Sequence, residues 1–93
     1  MNIGKIDKQP AETLDYDVDY AAWMADDDVI ATAVVTLAEA GTVAIEVVPL
    51  ETRVKLWVSG GVDGQEGVIE VTATTTGGRI KQDEINLRIV EVN

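Results

Sequence analysis

The sequence contains no cysteine and no histidine among its 93 residues, and its only serine is Ser59. Without cysteine the chain has neither disulfides nor thiolate metal ligands. Without histidine, Ser-His triads, Cys-His pairs and histidine-based zinc sites are excluded. Carboxylate chemistry of the glycosidase type needs a cleft, which a domain this small seldom encloses. We therefore expect a protein that is not an enzyme, with no cofactor and no catalytic, cofactor-binding or metal site to assign.

Basic residues and long apolar runs are also scarce. Lys and Arg number 7 against 17 Asp and Glu, for a formal net charge of −10, and ten of the acidic residues lie in residues 1–46. Such a surface repels phosphate and anionic lipid and attracts a basic protein, so we expect neither nucleic acid nor a membrane as a partner. No run approaches the roughly 20 apolar residues of a membrane span, and the N-terminus lacks an apolar signal segment. These features predict a soluble, unsecreted protein.

Apolar and polar residues alternate through three segments of the second half, which is typical of antiparallel strands with one buried face. The nine predicted core positions are Val54, Leu56, Val58, Ile69, Val71, Ala73, Ile85, Leu87 and Ile89. Two glycine-rich breaks, Gly60–Gly67 and Gly77–Gly78, separate these segments and predict hairpin turns.

Strands are also indicated in the first half of the chain. The first places four residues on one face, namely Leu14, Tyr16, Val18 and Tyr20. The second is β-branched, and its predicted core face consists of Val29, Ala31, Ala33, Val35 and Leu37. Gly41 then breaks the run, and a third strand is predicted from Thr42 to Val48, ended by Pro49.

The strand total is six or seven, with turn signals about every ten residues and no helix longer than a turn. Only a stacked or closed β fold buries so many apolar faces. We predict an all-β fold, an immunoglobulin-like antiparallel β-sandwich, with a small barrel as the alternative. Residues 1–13, which contain Pro10 and little periodicity, are expected to form a flexible N-terminal arm, and residues 14–93 the sandwich domain.

Six aspartates close together in the sequence raise the question of a calcium-binding site. They are Asp15, Asp17, Asp19, Asp26, Asp27 and Asp28. The first three have the D-x-D-x-D spacing that opens an EF-hand loop. However, Tyr20 stands where that loop needs glycine and Asp26 where it needs glutamate, so the EF-hand is rejected. Two interpretations stay open, a solvated acidic face on a strand and a calcium site that joins both groups of aspartates.

The two tryptophans have different predicted roles. Trp23 lies in the segment AAWMA, which lacks alternation and is expected to form a corner that plugs one end of the core. Trp57 alternates out of phase with Leu56 and Val58, so it is predicted to point away from the core. Two interpretations are open for its ring. We favour the first, in which a neighbouring loop or the first predicted strand covers it; in the second, it anchors a partner.

Several short motifs follow one another in order along nearly the whole chain. They are Lys8-x-Pro10-x-Glu12-x-Leu14-Asp15-Tyr16-x-Val18-Asp19-Tyr20; Trp23, Ala25 and Asp26; Ile30-Ala31; Val54 and Trp57 before Ser59-Gly60-Gly61; Thr74-Thr75-Thr76-Gly77-Gly78-Arg79; and the closing Ile85 to Val90. Together they resemble a family of small bacteriophage virion proteins, the phage fibre-tail adaptor proteins, which have an immunoglobulin-like fold.

The resemblance implies a non-enzymatic structural protein of a phage or prophage virion, synthesised in the bacterial host cytoplasm. It would form a homo-oligomer in the tail or neck and link the tail or connector to a fibre or neighbouring protein. The family supplies no motif of binding residues, so the arm and Lys81, Asp83 and Glu84 are the expected contact positions. The alternative is a free-standing immunoglobulin-like module that binds a cell-surface glycan or a host protein.

Overall fold

The computed structural model describes residues 1–38 and 43–91, and it is all-β as predicted. The seven strands are β1 (Asn2–Lys8), β2 (Leu14–Asp19), β3 (Ile30–Ala38), β4 (Val43–Leu50), β5 (Arg53–Gly60), β6 (Glu66–Thr75) and β7 (Ile80–Ile89). The predicted break at Gly41 lies outside the described residues. Within the described ranges there is no helix of the length and apolar character needed to span a bilayer.

The strands form two sheets stacked as a sandwich, an arrangement compatible with the immunoglobulin-like prediction. The four-stranded sheet has the order β1-β7-β6-β3, and the three-stranded sheet has the order β2-β5-β4. Four of the five strand pairs are antiparallel, whereas β1 and β7 pair in parallel. The sandwich is elongated, with Cα extents of 46 × 18 × 18 Å, so it has two well-separated ends.

The core lies between the two sheets and contains the predicted residues of β5, β6 and β7. All nine are at most 2% exposed. Val18 of β2 and Tyr20, which follows that strand, join them, together with Ile6 and Ile30. Alternation therefore identified the buried face of these strands, because a side chain on a strand switches face at every residue.

The predicted core face of β3 is correct only from Ala33 onwards. Ala33, Val35 and Leu37 pack against the core, but Val29 is 38% exposed and Ile30 is buried. The pairing of β3 with β6 shifts between Ile30 and Thr32. This irregularity inserts one residue into the alternation, as a β-bulge does, so the first part of the strand faces the opposite way from the prediction.

The N-terminal segment differs from the arm expected over residues 1–13. Asn2–Lys8 form β1, which pairs with β7 from Glu84 to Ile89 at the edge of the four-stranded sheet. Gly4 faces the sandwich, since a Cβ built on it would lie 3.0 Å from the Tyr16 hydroxyl. The inward positions of β1 are thus Gly4, Ile6 and Lys8, and only one of them is an apolar side chain, so the strand lacks the expected sequence pattern.

Candidate functional site

The outer face of the three-stranded sheet combines an exposed aromatic side chain with charges of both signs. We call it the Trp57 face. It consists of Asp15, Asp17 and Asp19 on β2, Arg53, Lys55 and Trp57 on β5, and Ala44, Glu46, Val48 and Leu50 on β4. The strand register places Trp57 between Asp15 and Glu46, and Lys55 between Asp17 and Val48.

Ion pairs connect β2 to β5 across this face. Lys55 Nζ lies 3.1 Å from Asp15 Oδ2 and 3.6 Å from Asp17 Oδ1, and Arg53 Nη1 lies 3.8 Å from Asp17 Oδ2. The hydrogen bond from Lys55 lowers the pKa of Asp15, and the same bond raises the pKa of Lys55. Two of the aspartates of β2 are therefore paired with basic side chains of β5, and one of these, Lys55, also lies near the Trp57 ring.

Trp57 is 39% exposed, so the covering predicted for it is incomplete. Lys55 Nζ lies 5.7 Å from the ring centroid, within the range of a cation-π contact. On its other side the ring lines an open groove of about 480 Å³ with Thr13, Ala44, Ile45, Glu46 and Ser59. The second interpretation of Trp57, an aromatic anchor for a partner, thus has a surface groove beside it.

The six aspartates considered for calcium do not converge. Asp15, Asp17 and Asp19 spread along the Trp57 face, whereas Asp26 to Asp28 lie in the loop before β3. Across the part of the chain that the structure describes, no three acidic side chains are grouped so that they could hold a metal ion. The spacing of the β2 aspartates corresponds to a strand face.

Asp28 has a structural role at one end of the sandwich. Its Oδ1 accepts hydrogen bonds from the Thr76 hydroxyl at 2.7 Å, the Gly77 amide at 3.0 Å and the Val29 amide at 2.9 Å. The hydrogen bond from Thr76 is the largest cause that lowers the pKa of Asp28 to about 2. The carboxylate thereby joins the loop before β3 to the β6–β7 turn.

Trp23 closes the same end, as predicted. The chain turns after Tyr20, whose carbonyl accepts hydrogen bonds from the amides of Trp23 and Met24 at 3.0 Å each. The Trp23 ring packs edge to face on Tyr20 with centroids 6.1 Å apart. Arg79 lies over the ring at 6.0 Å, and its Nη1 donates to the Trp23 carbonyl at 3.3 Å. Two separate sequence motifs, around Trp23 and around Gly77–Arg79, therefore form one closed end.

Lys8 closes the opposite end, a role that no pattern in the sequence predicts. The residue is 2% exposed, and its Nζ donates to the Gln9 carbonyl at 2.7 Å and the Gly60 carbonyl at 2.5 Å. Burial lowers the pKa of Lys8, an effect that the negative charge of Glu12 opposes. The Glu12 carboxylate also accepts from the Gln9 amide at 2.6 Å. The motif from Lys8 to Glu12 therefore fastens β1 of one sheet to β5 of the other.

The expected contact positions on β7 separate into exposed and buried ones. Asp83 is 1% exposed and lies 3.3 Å from Lys81 Nζ, so it is not available to a partner, whereas Glu84 is exposed. Burial and then the negative charge of Asp83 raise the pKa of Tyr20 to about 12. Asp83 faces inward because it continues the alternation of Ile85, Leu87 and Ile89, which the prediction did not extend to a charged residue.

Comparison of the sequence with models of protein families finds a match over most of the chain. The family model described as "Podophage GP4 fiber-tail adaptor protein gp77" matches residues 8–88. The match begins at the buried Lys8 and ends in β7, so it includes both closed ends and the whole Trp57 face. A search of curated proteins gives no match.

Proposed function

The chain belongs to the podophage GP4 fiber-tail adaptor family, and we propose that it is a structural protein of a phage particle that links the tail or neck to a fibre. Family membership places the protein among structural adaptors of the virion tail, with tail and fibre proteins as its partners. The specific link, the assembly of several copies and synthesis in the host cytoplasm are parts of the proposal. No catalytic step is proposed.

We assign the contact with the tail or fibre partner to the Trp57 face. The observation that carries this assignment is the 39% exposed Trp57 ring beside an open groove on the outer face of the three-stranded sheet. Aromatic side chains in such positions contribute a large share of the free energy of binding when a partner covers them. The Trp57 face has four acidic side chains, three on β2 and Glu46 on β4, against the two basic ones of β5. This excess of negative charge favours a partner segment that carries basic residues, because opposite charges steer association and select the orientation.

The test is binding of the purified chain to tail and fibre proteins encoded by the same phage genome, measured by titration calorimetry. Trp57→Ala is expected to weaken binding to one of them roughly 30-fold or more, since a central aromatic anchor contributes about 2 kcal/mol or more. Val62→Ala is the matched control, because Val62 is 55% exposed but lies in the loop between β5 and β6. Unfolding midpoints of both variants should stay close to that of the wild type.

Three results would count against the proposal. If no tail or fibre protein binds the wild-type chain, the linking role is wrong. If one binds but Trp57→Ala has the same affinity as Val62→Ala, the role stands and the assigned surface is wrong. If the chain instead binds on a glycan array, with or without calcium, and ignores virion proteins, the free-standing module is favoured.

A further inference from the structure

The four edge strands of the sandwich differ in how they are protected against pairing with another chain. Edge strands expose unpaired backbone groups, and proteins commonly block them with charged residues, proline or bulges. β2 has Asp15, Asp17 and Asp19, and β4 has Glu46 and Pro49. β1 has charged side chains at Lys5, Asp7 and Lys8. Each of these three edges therefore has at least one of the usual obstacles.

β3 has neither charge nor proline along its length, and its bulge is confined to its start, between Ile30 and Thr32. Its nine residues are Ile-Ala-Thr-Ala-Val-Val-Thr-Leu-Ala, from Ile30 to Ala38. It pairs with β6 on one side, and among the described residues the backbone bond beyond that pairing is from the Ile30 amide to the Glu51 carbonyl, at 2.6 Å. From Ala31 to Ala38, five of the eight residues are exposed, namely Ala31, Thr32, Val34, Thr36 and Ala38, and Val34 is 60% exposed. The strand is thus long, neutral and accessible.

We propose that the free edge of β3 pairs with β3 of a second copy, antiparallel and centred on Val34, so that the two four-stranded sheets join into one. The self-complementary placement of Thr32, Val34 and Thr36 identifies the occupant as a second copy, and charge limits where two copies can meet. Two chains with a net charge of −10 each repel wherever their acidic surfaces meet. Contact along β3 brings the copies together where neither edge strand has a charged side chain.

The sequence of β3 also fits a two-fold axis. Val34 is the central residue of the strand, so antiparallel pairing about it sets Val34 opposite its own copy and Thr32 opposite Thr36 of the second copy. Pairs of β-branched residues and pairs of threonines are favourable neighbours across antiparallel strands. On the same face of β6, Thr72 beside Val34 and Thr74 beside Thr32 are uncharged, whereas Glu70 beside Thr36 is acidic, so the outer surface is neutral at the two-fold axis itself.

This contact uses a different surface from the Trp57 face and does not depend on the tail or fibre partner. The first measurement is sedimentation equilibrium of the wild-type chain up to roughly 500 µM, a range that detects even weak dimers. We expect the mass to rise from the monomer value of 10.0 kDa to twice that value. A chain that remains monomeric over the whole range would overturn the proposal.

Val34→Lys tests the position of the contact. It is expected to raise the dimer dissociation constant at least about tenfold, because two lysines then face each other across the axis and like charges across an interface oppose association. Ala44→Lys is the matched control, since Ala44 is exposed on the edge strand β4 and gains the same charge. Equal effects of the two substitutions would overturn the assignment to β3. Binding to a tail or fibre protein should be unchanged in Val34→Lys.

A cross-linking experiment keeps the proposal testable if Val34→Lys unfolds. Because the chain has no cysteine, Val34→Cys introduces a single thiol. Residues directly opposite in antiparallel strands have Cβ atoms about 4.5–5.5 Å apart, which is close enough for a disulfide after small adjustments. Mild oxidation should give a covalent dimer much faster for Val34→Cys than for Thr72→Cys, one strand further in. Equal rates would contradict the pairing.

Discussion

Two charged side chains lie inside the sandwich, Lys8 at one end and Asp83 towards the other. Lys8 is compensated by backbone carbonyls, while Asp83 is compensated by Lys81 at 3.3 Å. Removing one member of a buried polar arrangement leaves the other without a partner, which costs more than the pair contributes. At the residue scale, these charges therefore fix where the strand ends sit rather than offering binding groups.

Asp28 gives a prediction for stability in acid. An aspartate has a pKa of about 3.9 in an unfolded chain, and Asp28 has a pKa of about 2 in the folded one. The folded state thus favours the deprotonated carboxylate, so this contribution to the free energy of unfolding is complete above about pH 4 and lost as the pH falls towards 2. Asp28→Asn keeps an oxygen acceptor but removes the charge, so its urea midpoint should vary less with pH in that window.

The control for Asp28→Asn is Asp26→Asn, in the same loop and exposed. Its urea midpoint should follow the pH dependence of the wild type between pH 2 and 5. If both variants lose stability in acid as steeply as the wild type, the protonation of Asp28 does not contribute to the loss of stability between about pH 4 and 2.

At the scale of strands and turns, the alternation of apolar and polar residues predicts the buried face of a strand wherever apolar side chains occupy that face. The faces of β5, β6 and β7 follow from the sequence because the buried inward positions there are apolar except Thr75 and Asp83. The start of β3 could not be predicted, since a single bulge inverts its face. β1 was missed because Gly4 and Lys8 occupy inward positions and a parallel pairing with β7 has no local signal. Trp57 was placed correctly, but its exposure depends on neighbours distant in sequence.

The turn after β5 contains two glycines, Gly61 and Gly64, that are needed for different reasons. Gly61 has a φ of +98°, and a Cβ on it would lie 2.8 Å from Ile89 Cγ1. Gly64 has a φ of +91°, but a Cβ there would meet nothing within 4 Å. Gly64→Ala should lower the free energy of unfolding by about 1 kcal/mol through backbone strain. Gly61→Ala should cost about 1–3 kcal/mol more, because the core must also shift.

Urea unfolding of the two alanine variants measures this difference directly. Since both glycines have nearly the same φ, the backbone contribution cancels in the comparison. Equal losses of stability would mean that Ile89 moves aside without cost and that close packing at Gly61 is unimportant.

At the scale of the whole molecule, the net charge of −10 separates the two proposed contacts. Contact between two copies brings like charges closer, whereas contact with a basic partner brings opposite charges together. Dissolved salt screens both effects, with a Debye length of about 10 Å at 0.1 M. The two contacts should therefore respond to salt with opposite signs.

Raising sodium chloride from about 0.05 to 0.3 M should strengthen the association of copies and weaken binding to the tail or fibre partner, each by several-fold. Sedimentation and calorimetry at a series of salt concentrations measure the two slopes. Salt-weakened association of copies would show that they meet through opposite charges and not through the neutral β3 edge. Salt-independent binding of the partner would exclude the acidic side chains of β2 from that contact.

The parallel pairing of β1 with β7 determines how the domain carries a mechanical load. Lys5 lies beside Asn86, and Lys8 lies beside Ile89, so the two strands run in the same direction. A force that draws the start of β1 and the end of β7 apart along the long axis pulls these strands past each other in shear. All the hydrogen bonds between them then resist together, whereas a hairpin such as β4–β5 would open one bond at a time. A module that holds a fibre on a moving particle would benefit from tension applied in that direction.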